Sequence, residues 1–227
     1  MDDKEKQAIS DEVNEIIKSR FQSINKFYLS IREIYKDHYN WPEMDPLRHE
    51  ICLCIMFGLC QSAITLTNHL LESLLKNALI IDHGKKVEQT EEEIKGRAIS
   101  AMIDKDSDGI KKYGDKNLDY TINQSRKLGL ISKEQKKELH IFREIFRNAF
   151  GHADKNKTFG KSTMPVTGMK LENDKIIPDE SGEPEVAKLL IGQGIVQHRI
   201  AQEHAVPYFQ YIDNLVRQMK SKLFQKS

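Results

Sequence analysis

The chain has 227 residues, of which 39% are hydrophobic and 30% charged, and its formal net charge is +1. This length suits one globular domain with additions, and the apolar content excludes an intrinsically disordered chain. The near-neutral total excludes a protein that binds nucleic acid through overall basicity, so any such binding must come from a local basic region. We therefore expect a single domain over residues 1–227.

The first segment reads as a long amphipathic helix. Its opening residues, MDDKEKQAIS, are charged and lack the apolar stretch of a signal peptide, so we expect a cytoplasmic protein. Apolar residues then recur at helical spacing from Val13 to Ile34, which predicts an N-terminal helix over residues 3–38 that packs on the core. Asn40-Trp41-Pro42 ends the pattern.

The second segment predicts one long central helix from Pro46 to about Asp82. The run ICLCIMFGLC is apolar on every side, but polar residues from Gln61 onward make it too short for a membrane span of about 20 residues. On the polar side of this helix, His69 and Glu72 are three residues apart and face one groove. They are second-rank site candidates, with an ion pair or a hydrogen-bonded core pair as the structural alternative.

Three cysteines, Cys52, Cys54 and Cys60, lie inside this apolar run without metal-ligand spacing. Such cysteines are typical of small buried side chains in a reducing compartment. We therefore expect neither a disulfide nor a metal site from them.

A charged insert occupies residues 83–117. Thr90 begins a capping box that predicts a helix to about Ile103. The following DKDSDG resembles the start of a calcium-binding loop, but its twelfth position is Asp115 where that loop has glutamate. Short clusters of Asp, Ser and Gly are more often turns, so we predict that this segment binds no calcium.

Two further helices are indicated before the end of the core. Residues 118–128 form a short helix closed by Gly129, and a capping box at Ser132 starts the next helix. That helix carries Leu139, Phe142 and Phe146 on one face, as a core-facing helix does, and should end near Ala153.

Periodicity is lost over residues 154–182, which predicts either a loop or a small hairpin turning at Glu172-Asn173-Asp174. C-terminal helices are expected over residues 183–224, starting at Pro184. Two glycines and a proline inside this segment, Gly192, Gly194 and Pro207, should break or kink it.

The candidate catalytic residues lie in the last turns of the helix that begins after Ser132. Arg147 is followed by Asn148, Gly151 and His152. An arginine can bind a phosphate, a histidine can transfer a proton near neutral pH, and on a helix the two flank Asn148. Gly151 would loosen the helix and let the imidazole turn toward Arg147. The alternative is that these side chains only cap the free carbonyls of a helix end.

The segment RNAFGH resembles the R-N-x-x-x-H signature of the HEPN superfamily, small helical bundles found in many prokaryotic ribonucleases. The resemblance covers about residues 47–155. It implies a metal-independent endoribonuclease with a dimeric site and no cofactor, in which Arg147, Asn148 and His152 are catalytic. Many such ribonucleases resemble toxins or defence effectors, so an antitoxin or defence-system partner is also implied. Other members are non-catalytic binding or scaffold modules.

The surroundings of the motif are basic. Residues 126–161 contain ten Lys or Arg and four Asp or Glu, a net charge of +6. Lys155, Lys157 and Lys161 follow the motif closely, and we expect them to bind RNA phosphates. Three classes stay open: a ribonuclease, a module that binds nucleotide or RNA without cutting it, and a helical adaptor without a site.

These patterns together predict an all-α fold. It should be a bundle of about five to six helices, with a core over about residues 47–155 and the terminal helices packed on it. No feature suggests a membrane partner.

Overall fold

The computed structural model describes residues 2–86, 107–148, 168–172, 175–179 and 190–224. It contains six α-helices, a π-helix and one hairpin: α1 (Asp3–Lys36), α2 (Asp45–Met56), α3 (Cys60–Lys86), α4 (Leu118–Lys127), α5 (Lys133–Phe142), the π-helix Arg143–Asn148, β1 (Gly168–Glu172), β2 (Lys175–Asp179) and α6 (Leu190–Phe224). Residues 107–113 are also helical. The predicted all-α bundle is confirmed, with slightly more helical segments than expected.

Helix α3 lies at the centre of the bundle. Leu70, Leu71, Leu74 and Leu75 on this helix are 0% exposed. It packs against α2, α4 and, most extensively, α6. Burial of large side chains on neighbouring rows of one helix requires neighbours on several sides, and this is why α3 organises the core.

The single long helix expected from Pro46 to about Asp82 is wrong, because the chain breaks after Met56 and restarts at Cys60. Gly58 in this break has a positive φ of 71°, a conformation that glycine adopts without steric cost. A Cβ at Gly58 would also lie 2.7 Å from the Ser23 hydroxyl of α1. The continuous apolar run concealed this break, since it lacks a polar boundary.

Helix α1 packs on the core along its C-terminal half only. Phe27 and Ile31 are buried, whereas Val13, Ile17 and Phe21 are 46%, 48% and 57% exposed. The predicted helix bounds are nearly correct, but the expectation that the whole apolar stripe packs inside the subunit is wrong for its first half. The stripe is longer than the body of the bundle that it lies against.

The C-terminal segment is one helix from Leu190, so of the predicted break or kink at Gly192, Gly194 and Pro207 the break is wrong. Burial of Ala205 and Phe209 on either side of Pro207 holds the chain in helical register across the proline. Tertiary packing therefore outweighs the local cost of a proline inside the helix. The expected start at Pro184 lies outside the described residues.

The hairpin expected after the motif is present. Strands β1 and β2 pair antiparallel, with Glu172 opposite Lys175. That register leaves two residues between the strands, the commonest length of a hairpin connection.

The charged insert is described at its two ends, residues 83–86, which belong to α3, and residues 107–117. The predicted capping box at Thr90 and the first three residues of DKDSDG lie outside the described residues. Ser107, Asp108 and Gly109 belong to the helical segment 107–113, and Gly109 lies close to Ile80 of α3. The end of DKDSDG is thus part of a helix packed on the core.

The predicted closure of α4 by Gly129 and the predicted capping box of α5 are confirmed, and α4 has in addition an N-cap that was not predicted. The Asn117 side chain accepts a hydrogen bond from the Tyr120 amide at 2.9 Å, and Gly129 closes α4 with φ of 73°. At the start of α5, Ser132 and Gln135 form the reciprocal bonds of a capping box. These caps fix where the helix that carries the motif begins.

The cysteines are free, with Cys52 and Cys60 buried and Cys54 half-buried. Burial raises the pKa of the Cys52 thiol to about 11, so it behaves as a small apolar side chain, as predicted. Across the described helices, none has the length and apolar character needed to cross a membrane.

A buried charge cluster, which the sequence did not predict, joins α2 to α6. Arg48 is 0% exposed, and its Nε lies 3.7 Å from Oδ1 of Asp213, which is 3% exposed. Arg217 Nε donates to the other carboxylate oxygen of Asp213 at 2.9 Å, and Arg48 Nη2 donates to the Asp37 carbonyl. Burial and the negative charge of Asp213 raise the pKa of the nearby Tyr39 phenol.

Candidate functional site

The motif helix changes its winding before the motif begins. α5 is α-helical to Phe142, and Arg143–Asn148 form a π-helix. Leu139 and Phe146 are buried as predicted, with the Phe146 ring 4.5 Å from that of Tyr208. π-Helical turns are often found at functional sites, because the wider turn re-aims the side chains that follow. We expected loosening at Gly151, but the helix already widens before it.

The guanidinium of Arg147 is held by α3. Arg147 Nε donates to Glu72 Oε1 at 3.1 Å, and the two side chains are 33% and 26% exposed. The motif arginine and a second-rank candidate are therefore brought together across the bundle, a pairing that was not predicted. The hydrogen bond at Nε fixes the orientation of the planar guanidinium group, which lies at a partly exposed surface.

His69 does not share this arrangement. It is exposed, and no hydrogen bond or ion pair joins it to another part of the chain that the structure describes. Of the two second-rank candidates, only Glu72 therefore contacts the motif arginine.

A buried polar chain positions the backbone just before Arg147. The Tyr208 hydroxyl donates to Asn68 Oδ1 at 2.8 Å, and Asn68 Nδ2 donates to the Phe146 carbonyl at 3.4 Å. Asn68 and Tyr208 are 7% and 2% exposed. Burial raises the pKa of Tyr208, with a further contribution from the charge of Glu72, so its phenol stays protonated and donates.

Sequence analysis missed this role of Asn68 and Tyr208. Asn68 stands on the polar side of α3 beside the two candidates His69 and Glu72, which is the only signal that the sequence offered. Tyr208 lies 140 residues away from Asn68 and reads as an ordinary apolar position of α6. Its contact depends on tertiary structure.

A cleft of about 160 Å³ opens beside Arg147. It is lined by Asn117, Leu118, Asp119, Arg143 and Arg147. Arg143 binds Asp119 and also pairs with Glu144 at 2.7 Å. Two arginines, the Asp119 carboxylate and the first turn of α4 thus border one recess.

Asp119 also connects the cleft to a histidine on α5. His140 Nδ1 lies 3.6 Å from Asp119 Oδ1. Partial burial lowers the pKa of His140, and the positive charges of Arg143 and Lys136 lower it further, against the opposing effect of Asp119. The imidazole therefore favours its neutral form and leaves the positive charge of this region to the arginines.

Several predicted site residues lie outside what the structure describes. His152, Lys155, Lys157 and Lys161 fall in residues 149–167. Asn148 ends the π-helix, and its backbone alone is described. Of the three predicted catalytic residues, Arg147 is thus the one whose side chain is placed.

The comparisons with known proteins give no match: no family model, no curated protein and no solved structure resembles the chain. The fold and the site define an all-α bundle with an anchored arginine beside a small cleft. Its resemblance to the HEPN superfamily stays a prediction that rests on the sequence motif.

Proposed function

We propose that this protein is a metal-independent endoribonuclease of HEPN type. The observation that supports it most is the anchoring of Arg147: Glu72 fixes a partly exposed guanidinium at the edge of a cleft, and a guanidinium of fixed direction can bind a phosphate. The Asn68–Tyr208 chain supports the same proposal because it holds the backbone that carries Arg147.

In the proposed reaction, the RNA 2′-hydroxyl attacks the adjacent phosphorus, and the bond to the 5′-oxygen of the next nucleotide breaks. His152 transfers the proton, since its ordinary pKa of about 6.5 suits both roles near neutral pH. Arg147 holds the non-bridging oxygens and offsets their growing charge. Asn148 orients the imidazole or the phosphate, while Lys155, Lys157 and Lys161 bind flanking phosphates.

The direct test is incubation of the purified protein with total RNA, with and without EDTA. Cleavage should proceed equally in both, because no step needs a metal. Products should carry a cyclic phosphate or 3′-phosphate, as attack by the 2′-hydroxyl requires. Cleavage that EDTA abolishes would contradict the mechanism. If the wild-type protein does not cleave RNA, two alternatives remain. The first is a non-catalytic module that binds RNA or nucleotide, and the second is an adaptor with a toxin, antitoxin or defence partner.

We further propose a homodimer with the two motif helices near the two-fold axis. One His152 per chain cannot be base and acid in the same step, and a second copy supplies the partner. Ile141 and Ile145 support this arrangement, since each is 45% exposed and they are four residues apart on one side of the motif helix. Exposed apolar pairs beside a site are typical of an interface.

The dimer can be tested with Ile141→Glu and Ile145→Glu. Each should give a monomer in light scattering at micromolar concentration and lose cleavage, because a buried carboxylate would face its own copy at the axis. Ile16→Glu is the matched control, since Ile16 is 54% exposed on α1. If only the control dissociates the dimer, the interface lies on α1. A wild-type monomer that cuts RNA would overturn the dimer altogether.

A further inference from the structure

A stripe of basic residues runs along α5 and ends at the motif. The α5 stripe consists of Lys133, Lys136, Lys137, His140, Arg143 and Arg147. Positions 133–140 of this set span roughly 100° of an ideal helix. His140 and Arg143 both contact Asp119, and Arg143 and Arg147 line the same cleft, which carries the stripe into the π-helix.

The N-terminal part of the stripe, Lys133 and Lys137, faces away from the body of the protein, whereas Arg143 and Arg147 contact α4 and α3. The opposite side of α5 is fixed against α6, where Gln135 donates to Gln218 at 2.8 Å and Leu139 is 0% exposed. Lys133 and Lys137 are exposed, and Lys136 is half-buried. The five lysine and arginine side chains thus form a basic ridge, exposed at Lys133 and Lys137 and half-buried toward its end, that leads to the cleft beside Arg147.

Most of the positive charge of the α5 stripe is not neutralised by nearby carboxylates. Among the described residues, no ion pair is formed by Lys133, Lys136 or Lys137. Of the acidic residues on the same helix, Glu134 accepts from the Ser132 hydroxyl, and Glu138 acts on Tyr211. Neutralisation is therefore confined to the cleft end of the stripe, where Asp119, Glu144 and Glu72 lie.

We propose that the α5 stripe is a track for single-stranded RNA that extends from the cleft toward the start of α5. Successive turns of the ridge offer positive groups to successive phosphates of one flexible strand. The cleft of about 160 Å³ admits a group that projects from such a strand, whereas a duplex would rest on the ridge without entering it. This inference rests on the proposed ribonuclease function, and it adds phosphate contacts from residues that precede Arg147 in the sequence, whereas Lys155, Lys157 and Lys161 follow it.

The test uses a double variant, Lys133→Gln with Lys137→Gln. Both side chains are exposed, so folding should be unaffected, as the melting temperature will show. The matched control is Lys4→Gln with Lys36→Gln, which removes the same charge from exposed positions on α1. The ligand is 2′-O-methyl RNA of about 16 nucleotides, near the upper end of single-strand site sizes. It lacks the attacking hydroxyl, so binding is measured without cleavage.

The stripe variant should lower the slope of log affinity against log salt by about 1.4, since each phosphate contact of a single strand contributes about 0.7. Extrapolated from 1 M, that slope means roughly 25-fold weaker binding at 0.1 M salt. The control should bind as the wild type does. An unchanged slope in the stripe variant, or an equal loss in the control, would overturn the track, as would tighter binding of duplex RNA than of the single strand.

Cleavage of a dinucleotide separates this inference from the proposed function. A dinucleotide reaches only the motif, so the stripe variant should cut it at the wild-type rate while cutting long RNA less efficiently. If the wild type cuts neither substrate but still binds through the stripe, the ribonuclease fails and the track stands. If the wild type cuts both and the stripe variant matches it on long RNA, the ribonuclease stands and the track fails.

Discussion

Alanine at His152 or at Arg147 is expected to reduce RNA cleavage by at least 10²-fold while leaving the fold intact. Loss of proton transfer costs roughly 10²- to 10⁴-fold, and loss of charge stabilisation costs a similar factor. Initial rates on a defined RNA, with the melting temperature of each variant, provide the measurement. The Arg147 side chain is only partly buried and lies off the packed face of Phe146. Its removal should therefore cost about 1 kcal/mol of stability or less.

Two further substitutions give this prediction its controls. Arg147→Lys should also lose most cleavage, because lysine keeps the charge without the planar fork that is anchored at Glu72. Glu72→Gln keeps an acceptor for that fork and should retain more activity than Glu72→Ala. If both alanine variants, at His152 and at Arg147, melt many degrees lower and the wild type neither cuts nor binds RNA, the motif only caps its helix. RNA binding that needs Arg147, without wild-type cleavage, would indicate the non-catalytic module.

The features that were predicted correctly from the sequence are determined by interactions between residues that are close together in the chain. The closure of α4 at Gly129, the capping box at Ser132 and the hairpin between β1 and β2, which was one of two predicted alternatives, are determined by residues within a few positions of one another. The break at Gly58 was missed although it is local, because a run that is apolar at nearly every position has no periodicity that an interruption could disturb.

What the sequence could not predict depends on contacts between distant residues. Arg147 and Glu72 are 75 positions apart, and Asn68 and Tyr208 are 140 apart. Each residue has an ordinary local role when read alone, as a helix end, a polar face or a core aromatic. Only the packing of α3, the motif helix and α6 against one another brings these side chains into one arrangement. The same argument applies to Pro207, whose local preference is overridden by its buried neighbours.

The largest effect on stability is expected at Asp213. Asp213→Ala would leave Arg48, which is 0% exposed, without its carboxylate in the core. Breaking a buried ion pair from one side typically costs about 3–5 kcal/mol, because the remaining charge is neither paired nor hydrated. Urea unfolding should therefore show a much lower midpoint with an unchanged slope. Glu203→Ala is the control, since Glu203 pairs with Arg199 at the surface of the same helix and its loss should change little.

A double variant decides why Asp213→Ala loses stability: because the charge of Arg48 is left buried and unpaired, or because the ion pair itself is lost. Asp213→Leu combined with Arg48→Met replaces both charged groups by apolar ones, and such replacements are often neutral or stabilising. The double variant should thus unfold at a higher urea concentration than Asp213→Ala, although two side chains are changed. Arg217 and Asp37 would keep their own ion pair of 2.6 Å at the surface above the cluster. If the double variant is as unstable as Asp213→Ala, the charges themselves hold α2 against α6, and the desolvation argument fails.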